Sequence, residues 1–276
     1  MSQDFWTMIS RNFEKNSSSL VVGLDPVYER MPSPIEENLD GVGKFLIDIV
    51  SATSSVVCGY KPNFAFYISL GRGGLKTLEK TIEHIKLHET PVLLDGKFND
   101  IGHTAGRYAK FAREIGADAV TVSPYIGRDT VKPFLDEGLS VIILCATSNP
   151  GFLDIEGITV DNGLSLYQHV AKKAVEWSDE YGDKIGLVVG ATHPALFTNV
   201  RKIAPNLPFL IPGIGAQGGD IESSVRAGIT ADSFPPLIVA ARSVIYASSG
   251  SDFAESARTE ASKLRDSINN AGDFFK

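Results

Sequence analysis

The stretch "PVLLDGKFNDIGHT", residues 91–104, carries an apolar run from Pro91 to Leu94 straight into Asp95, Lys97 and Asp100, with only Gly96, Phe98 and Asn99 between the charges. In an extended segment side chains alternate faces, so Asp95 and Lys97 point the same way, and Gly96 leaves room for a molecule to approach. Beyond them Ile101, Ala105, Tyr108, Ala112 and Ile115 recur at spacings of four and three, which predicts a helix whose N-terminus Asp100 would suit. Two readings fit this stretch equally. It is a catalytic constellation at the end of a buried strand, or it is a structural ion pair followed by a helix cap.

Working outward, similar β-rich runs appear along the whole chain. They are "SLVVGLD" (19–25), "SVVCGYK" (55–61), "PVLLDGK" (91–97), "DAVTVSP" (118–124), "LSVIILCATS" (139–148), "IGLVVGA" (185–191), "PFLIPGIG" (208–215) and "PLIVAARS" (236–243). Helical patterns lie between and after them, such as Tyr167, Val170, Ala174 and Trp177, or Ala257, Ala261, Leu264 and Ile268. Near-continuous apolar strands alternating with helices call for a parallel sheet covered on the outside. Eight units favour a single (β/α)8 barrel over a doubly wound sheet, because polar or glycine-rich residues gather at the C-terminal end of nearly every strand. Asp25, Lys61, Asp95 with Lys97, Ser148, the "PGIGAQGG" loop and Arg242 would then converge on one mouth.

The composition agrees with one barrel spanning residues 1–276, fronted by an amphipathic helix through Phe5, Met8, Ile9 and Phe13. The chain has 276 residues, 43% of them hydrophobic and 21% charged, a size natural for this architecture. Its net charge is −7, with no basic stripe, which argues against nucleic acid. Runs such as "SVIILCA" (140–146) are far shorter than the ~20 residues of a membrane span. The N-terminus shows neither a basic region nor a continuous apolar stretch of the secretory kind. Cys58 and Cys145 sit in apolar strands without a CxxC or Cys/His cluster, as expected of buried thiols in the cytoplasm rather than metal ligands.

Other motifs extend the picture. "IPGIGAQGGD" (211–220) places four glycines and Gln217 between a strand and a helix start, where free amides attract anions, although a flexible turn would look alike. Arg242, at the end of strand eight, would join that loop in a phosphate pocket, since Arg forms bidentate pairs with phosphate. Ser148 could bind a ring carbonyl or simply serve the turn before Asn149-Pro150. Lys61 pointing into a barrel mouth should be neutralised by a carboxylate such as Asp95. His103 and His193 both fall at helix starts and are better explained there than as catalytic groups.

Taken together, "LLDGKFNDIGHT" resembles the D-x-K-x-x-D-I motif of the orotidine 5′-phosphate decarboxylase family, and "IPGIGAQGGD" resembles its P-G-x-G-A-Q phosphate loop. The likeness runs from "GLDP" (23–26) to "AARSVIYAS" (240–248), with "YKPNFAF" and "ARSVIYAS" similar to the longer, type 2 branch. It implies decarboxylation of orotidine 5′-monophosphate to uridine 5′-monophosphate by a cytoplasmic homodimer with shared sites and no metal or organic cofactor. It implies a charged tetrad of Lys61, Asp95 and Lys97 with Asp100 of a second subunit. It further implies Asp25 at ribose, with Ile101 and Thr104 lent by the partner. Ser148 and Pro212 would lie at the pyrimidine, Gln217 between base and phosphate, and Arg242 with the Ala241 amide at phosphate. Two positions depart from the family: Ala241 stands where many members have glycine, and Ile68 where the type 2 branch has Glu. Two other readings compete, a Mg2+-dependent sugar-phosphate decarboxylase or aldolase on the same barrel, and a silent nucleotide-binding protein.

Overall fold

In the computed structural model, residues 4–160, 163–190, 194–213 and 220–275 are described. Their strands are β1 (Leu20–Leu24), β2 (Gly59–Pro62), β3 (Leu93–Phe98), β4 (Ala119–Val122), β5 (Ser140–Ala146), β6 (Ile185–Val189), β7 (Phe209–Pro212) and β8 (Leu237–Ala240). All neighbours are parallel, in the order β2-β1-β8-β7-β6-β5-β4-β3. The two ends of that order meet through the parallel bridges Tyr60 to Val92 and Asn63 to Asp95. The sheet therefore curls into the expected barrel rather than staying open.

The helices α1 (Phe5–Asn16), α2 (Leu39–Thr53), α3 (Phe64–Ser69), α4 (Gly74–Leu87), α5 (Gly102–Glu114) and α6 (Arg128–Asp136) occupy the first half of the chain. In the second half come α7 (Leu166–Tyr181), α8 (Pro194–Ile203), α9 (Ile221–Gly228), α10 (Arg242–Ile245) and α11 (Phe253–Gly272). Alternation along each strand divides the apolar residues into two cores. Leu20, Val22 and Leu24 of β1 face the surrounding helices, where Phe45, Ile49, Ala257 and Ala261 meet them. Val21 faces inward with Leu93, Ala119, Ile142, Leu210, Leu237 and Val239.

The inner core is stoppered by α1. Asp4 caps this helix by accepting from the Trp6 and Thr7 amides, an anion at a helix N-terminus. Phe5, Trp6 and Ile9 then enter the barrel at the N-terminal ends of the strands. Trp6 needs Gly186 of β6, because a Cβ there would lie 2.8 Å from its indole.

Several boundaries differ from those expected. β2 starts at Gly59 because Ser54–Val56 form the turn that ends α2, with the Val56 amide donating to Thr53 O. β5 and β8 stop at Ala146 and Ala240, so Ser148 lies beyond its strand, and Arg242 begins α10 instead of ending β8. Asp100 does not cap α5. Ile101 holds the cap position, and the Asp100 carboxylate accepts from the adjacent Ile101 amide. The apolar spacing of α5 also misleads, since Ala105 and Ala112 are buried whereas Ile101 and Tyr108 face outward at 53% and 39% exposure.

Candidate active site

The period of two explains how polar groups reach the mouth. On β1, Val21 faces inward, and the same face continues through Gly23 to Asp25. Gly59 lies against Ile9, and two residues on stands Lys61. Leu93 is followed by Asp95, Ala119 by Thr121, and Leu210 by Pro212. The columns of β1, β2, β3 and β4 thus run from small or apolar residues at the plugged end to polar ones at the open end, whereas that of β7 ends in Pro212.

Asp95 is the hub. One oxygen, Oδ2, accepts from Lys61 Nζ at 2.8 Å and from Asn63 Nδ2 at 3.4 Å. The other, Oδ1, accepts from Lys97 Nζ at 2.6 Å and from Thr121 Oγ1 at 2.8 Å. Lys61 and Asp95 are both buried, while the Lys97 side chain is 46% exposed and reaches the mouth. Burial alone would push the Asp95 carboxyl up, but the two ammonium groups outweigh it and hold it far below the usual carboxylate range. Burial likewise opposes the charge on Lys61, yet Asp95 and then Asp25 raise its pKa above that of an ordinary lysine. Lys61 thus stays cationic in a place where an isolated charge would be costly.

Asp25 is placed differently. It is buried, its Oδ1 has no hydrogen-bond partner among the described residues, and desolvation raises its pKa despite the pull of Lys61. An unsatisfied buried acceptor facing the mouth is suited to a hydroxyl-bearing ligand.

Asp100, Ile101 and Thr104 stand apart from this web. Among the described residues Asp100 forms no ion pair with Lys61 or Lys97; its amide donates to Thr130 Oγ1 at 3.1 Å. Ile101 and Thr104 are exposed. A cleft of about 520 Å³ opens beside the hub, lined by Asn63, Phe64, Ile68, Asp95, Gly96 and Lys97. A larger cavity of about 720 Å³ lies between α7 and the segment near Tyr125 and contains neither lysine; Asp95 and Lys97 line the smaller one.

Of the remaining expected residues, Ser148, Pro212, Ala241 and Arg242 stand at or just beyond the C-terminal ends of their strands. Gly190, at the end of β6, packs on Ser148, where a Cβ would come within 2.8 Å of the Ser148 amide nitrogen. Pro212 closes β7, Ala241 follows β8, and Arg242 is exposed at the start of α10. Ala241 is accommodated by Gly23, whose own Cβ would meet that of Ala241 at 2.6 Å. Ile68, 52% exposed, lines the cleft. Gln217 and His193 lie outside the described residues, whereas His103 sits in the first turn of α5, next to Arg107. Among the described residues no three His, Cys, Asp or Glu side chains gather as a cation site.

Sequence reasoning missed Thr121 and Asn63. Thr121 sits in "DAVTVSP", where a β-branched residue is ordinary strand material. Asn63 caps α3 through Oδ1 while its Nδ2 turns to Asp95; the one available signal was an amide two residues beyond a buried lysine.

Comparison with known proteins adds the chemical frame. Residues 18–257 match the family model described as "Orotidine 5′-phosphate decarboxylase / HUMPS family". The orotidine 5′-phosphate decarboxylase of Thermomicrobium roseum is 43% identical over 269 residues, which covers 96% of this chain and 94% of that protein. That of Azoarcus sp. is 44% identical over 271 residues, covering 96% and 98%. The structure of Leishmania donovani OMP decarboxylase superposes with a TM-score of 0.84 at 31% identity, covering 98% of this chain and 99% of the other.

Proposed function

The chain belongs to the orotidine 5′-phosphate decarboxylase family, and from that premise we propose that Lys61, Asp95 and Lys97, completed by Asp100 of a second copy, are its catalytic centre. The protein is a decarboxylase that converts orotidine 5′-monophosphate to uridine 5′-monophosphate in pyrimidine biosynthesis. The observation that carries the site assignment is the Lys61–Asp95–Lys97 array, two cations held by one buried carboxylate inside a barrel mouth.

The chemistry asks for such an array. Loss of CO2 from C6 leaves a carbanion that no carbonyl is placed to delocalise simply, so fixed positive charge must lie where negative charge develops. Lys97, the exposed member, supplies that charge and then the proton. Asp95 keeps it oriented through the 2.6 Å contact of its carboxylate with the ammonium. Asp25 accepts from the ribose, and Ser148 and Pro212 border the pyrimidine. Gln217 bridges base and phosphate, while Arg242 and the Ala241 amide hold the phosphate. Binding at the phosphate stabilises closure around a reaction centre several bonds away.

Two features support a homodimer with shared sites. Asp100 is unpaired with either catalytic lysine in its own chain, and exposed Ile101, Tyr108, Tyr125 and Ile126 offer apolar surface around it. Among the described residues no helix is long and apolar enough to cross a membrane; buried thiols at Cys58 and Cys145 support a cytoplasmic location. The reading assigns no metal to the reaction. Its test is the fall in absorbance when orotidine 5′-monophosphate is added, with and without EDTA. Turnover unaffected by the chelator is expected, and EDTA-sensitive turnover would move the chain toward the Mg2+-dependent reading.

A further inference from the structure

We propose that Thr121 is a positioning residue for the decarboxylation, its hydroxyl locking the Lys97 backbone and the Asp95 carboxylate into one unit. The inference rests on the reading of Lys97 as proton donor and goes beyond it by naming what fixes that lysine in place.

The ladder between β3 and β4 is irregular at this point. Leu94 aligns with Val120 and Phe98 with Val122, so the β3 segment carries two residues more than its partner. The excess chain bulges, and Lys97 takes a φ of 45°, the left-handed region that side chains with a Cβ enter only at a cost. A bulge also leaves an amide without its ladder carbonyl. Here the Lys97 amide donates instead to Thr121 Oγ1 at 2.9 Å. The same hydroxyl spends its own proton on Asp95 Oδ1, 2.8 Å away.

Asp95 Oδ1 in turn takes the Lys97 ammonium at 2.6 Å. A closed circuit results: hydroxyl to carboxylate, ammonium to the same carboxylate, and lysine backbone back to the hydroxyl. Lys97 is thereby pinned at its root and at its tip. Thr121 is 1% exposed, so water cannot stand in for it. Accepting an N–H while donating an O–H is possible for Ser and Thr and impossible for Val of the same shape. Thr121 lies on β4 beneath the charges, where it acts through Lys97 and Asp95.

The test compares Thr121→Val, Thr121→Ser and Lys97→Ala, each measured for kcat, KM and melting temperature. Thr121→Val should lower kcat by about 10- to 100-fold, because small misplacement of a reacting group is expensive in rate. Its KM should stay within about threefold, since phosphate, ribose and base are held elsewhere. Thr121→Ser, which keeps the hydroxyl, should recover kcat to within about threefold of wild type. A Thr121→Val enzyme with wild-type kcat overturns the proposal. So does a Thr121→Ser enzyme as slow as the Val variant, which would put the effect in the methyl group's packing. If Thr121→Val melts below the assay temperature, Thr121→Ala against Thr121→Ser gives the same comparison, as the two differ by the hydroxyl alone. An active Lys97→Ala enzyme would instead sink the assignment of the proton donor, whatever Thr121 does.

Discussion

The two ends of the barrel are built from the same inward-facing columns, yet they obey opposite rules. At the N-terminal end Phe5, Trp6 and Ile9 press against Val21, Cys58, Leu93 and Ala119, a dry contact stabilised by removal of apolar surface from water. One step along the strands, Lys61, Asp95 and Thr121 hold charges and a hydroxyl out of water, where replacement by apolar residues would often stabilise a fold. The plugged end serves folding, and the proposed chemistry belongs to the open end. Their separation predicts that mutations should sort by end: large losses of rate with little or no loss of stability above, loss of stability without loss of rate below.

The sharpest attempt to break this division is Lys97→Ala. Turnover should fall by at least about 10⁴-fold, combining loss of the acid and of the field, while nucleotide binding measured by calorimetry persists. Residual turnover near wild type would end the assignment. Mixing tests the second chain's role. Lys97→Ala and Asp100→Ala subunits, each inactive alone, are unfolded together in equal amounts and refolded. Half the dimers should be mixed, with one repaired site each, so activity returns to about a quarter of wild type. Failure to recover, with mixed dimers verified by mass spectrometry, would mean that Asp100 serves its own chain.

At the rim, Arg242→Ala should weaken phosphorylated substrate by about 10- to 100-fold in kcat/KM, as expected for a charged hydrogen bond. The loss should shrink for the nucleoside, and equal losses would reject a phosphate role. At the plug, Trp6→Ala should cost about 3 kcal/mol in denaturant unfolding, leaving kcat of the folded enzyme within about twofold. A large kcat defect there would show that the ends are coupled.

The smallest effect concerns sign. Asp25→Asn should weaken the ribose contact, which loses its charge, yet stabilise the free protein near neutral pH by about 1 kcal/mol, because a buried unsatisfied carboxylate is removed. Asp25 and Asp95 should also drive stability in opposite directions with pH. The carboxyl of Asp95 is held below its unfolded value of about 4, so its contribution is full above that pH and is lost as pH falls through the folded value. That of Asp25 is raised, so its contribution is full below about pH 4 and is lost as pH rises through the folded value. The gain from Asp25→Asn should therefore vanish in acid; a gain that grows in acid would contradict the direction assigned to Asp25.

Much of this was legible in the sequence for a definite reason. Strand alternation and apolar runs are local, so eight strands and the inward direction of Lys61 and Asp95 followed from spacing. The Lys61–Asp95 pair was expected because a buried lysine needs a counterion, and it forms at 2.8 Å. What stayed hidden depends on contacts between distant strands. The bulge at Lys97 exists only against β4, so period two gave the right face for Lys97 without its left-handed backbone. The exposure of Ile101 and Tyr108 was obscured because an apolar helix face looks the same whether it meets its own core or another surface. Gly23 beneath Ala241 is likewise a neighbourhood that only closure of the barrel creates.

That closure has one further consequence. Around the ring, adjoining strands are laced by ladders, but β2 and β3 are joined by isolated bridges, one of them at Asn63 and Asp95. Lys61 and Asp95 sit on the two sides of this seam. The charged pair is therefore a clasp on a hoop as well as part of a reaction centre. The reaction centre proposed above thus shares its carboxylate with the fastening, at a join made by two isolated bridges instead of a continuous ladder.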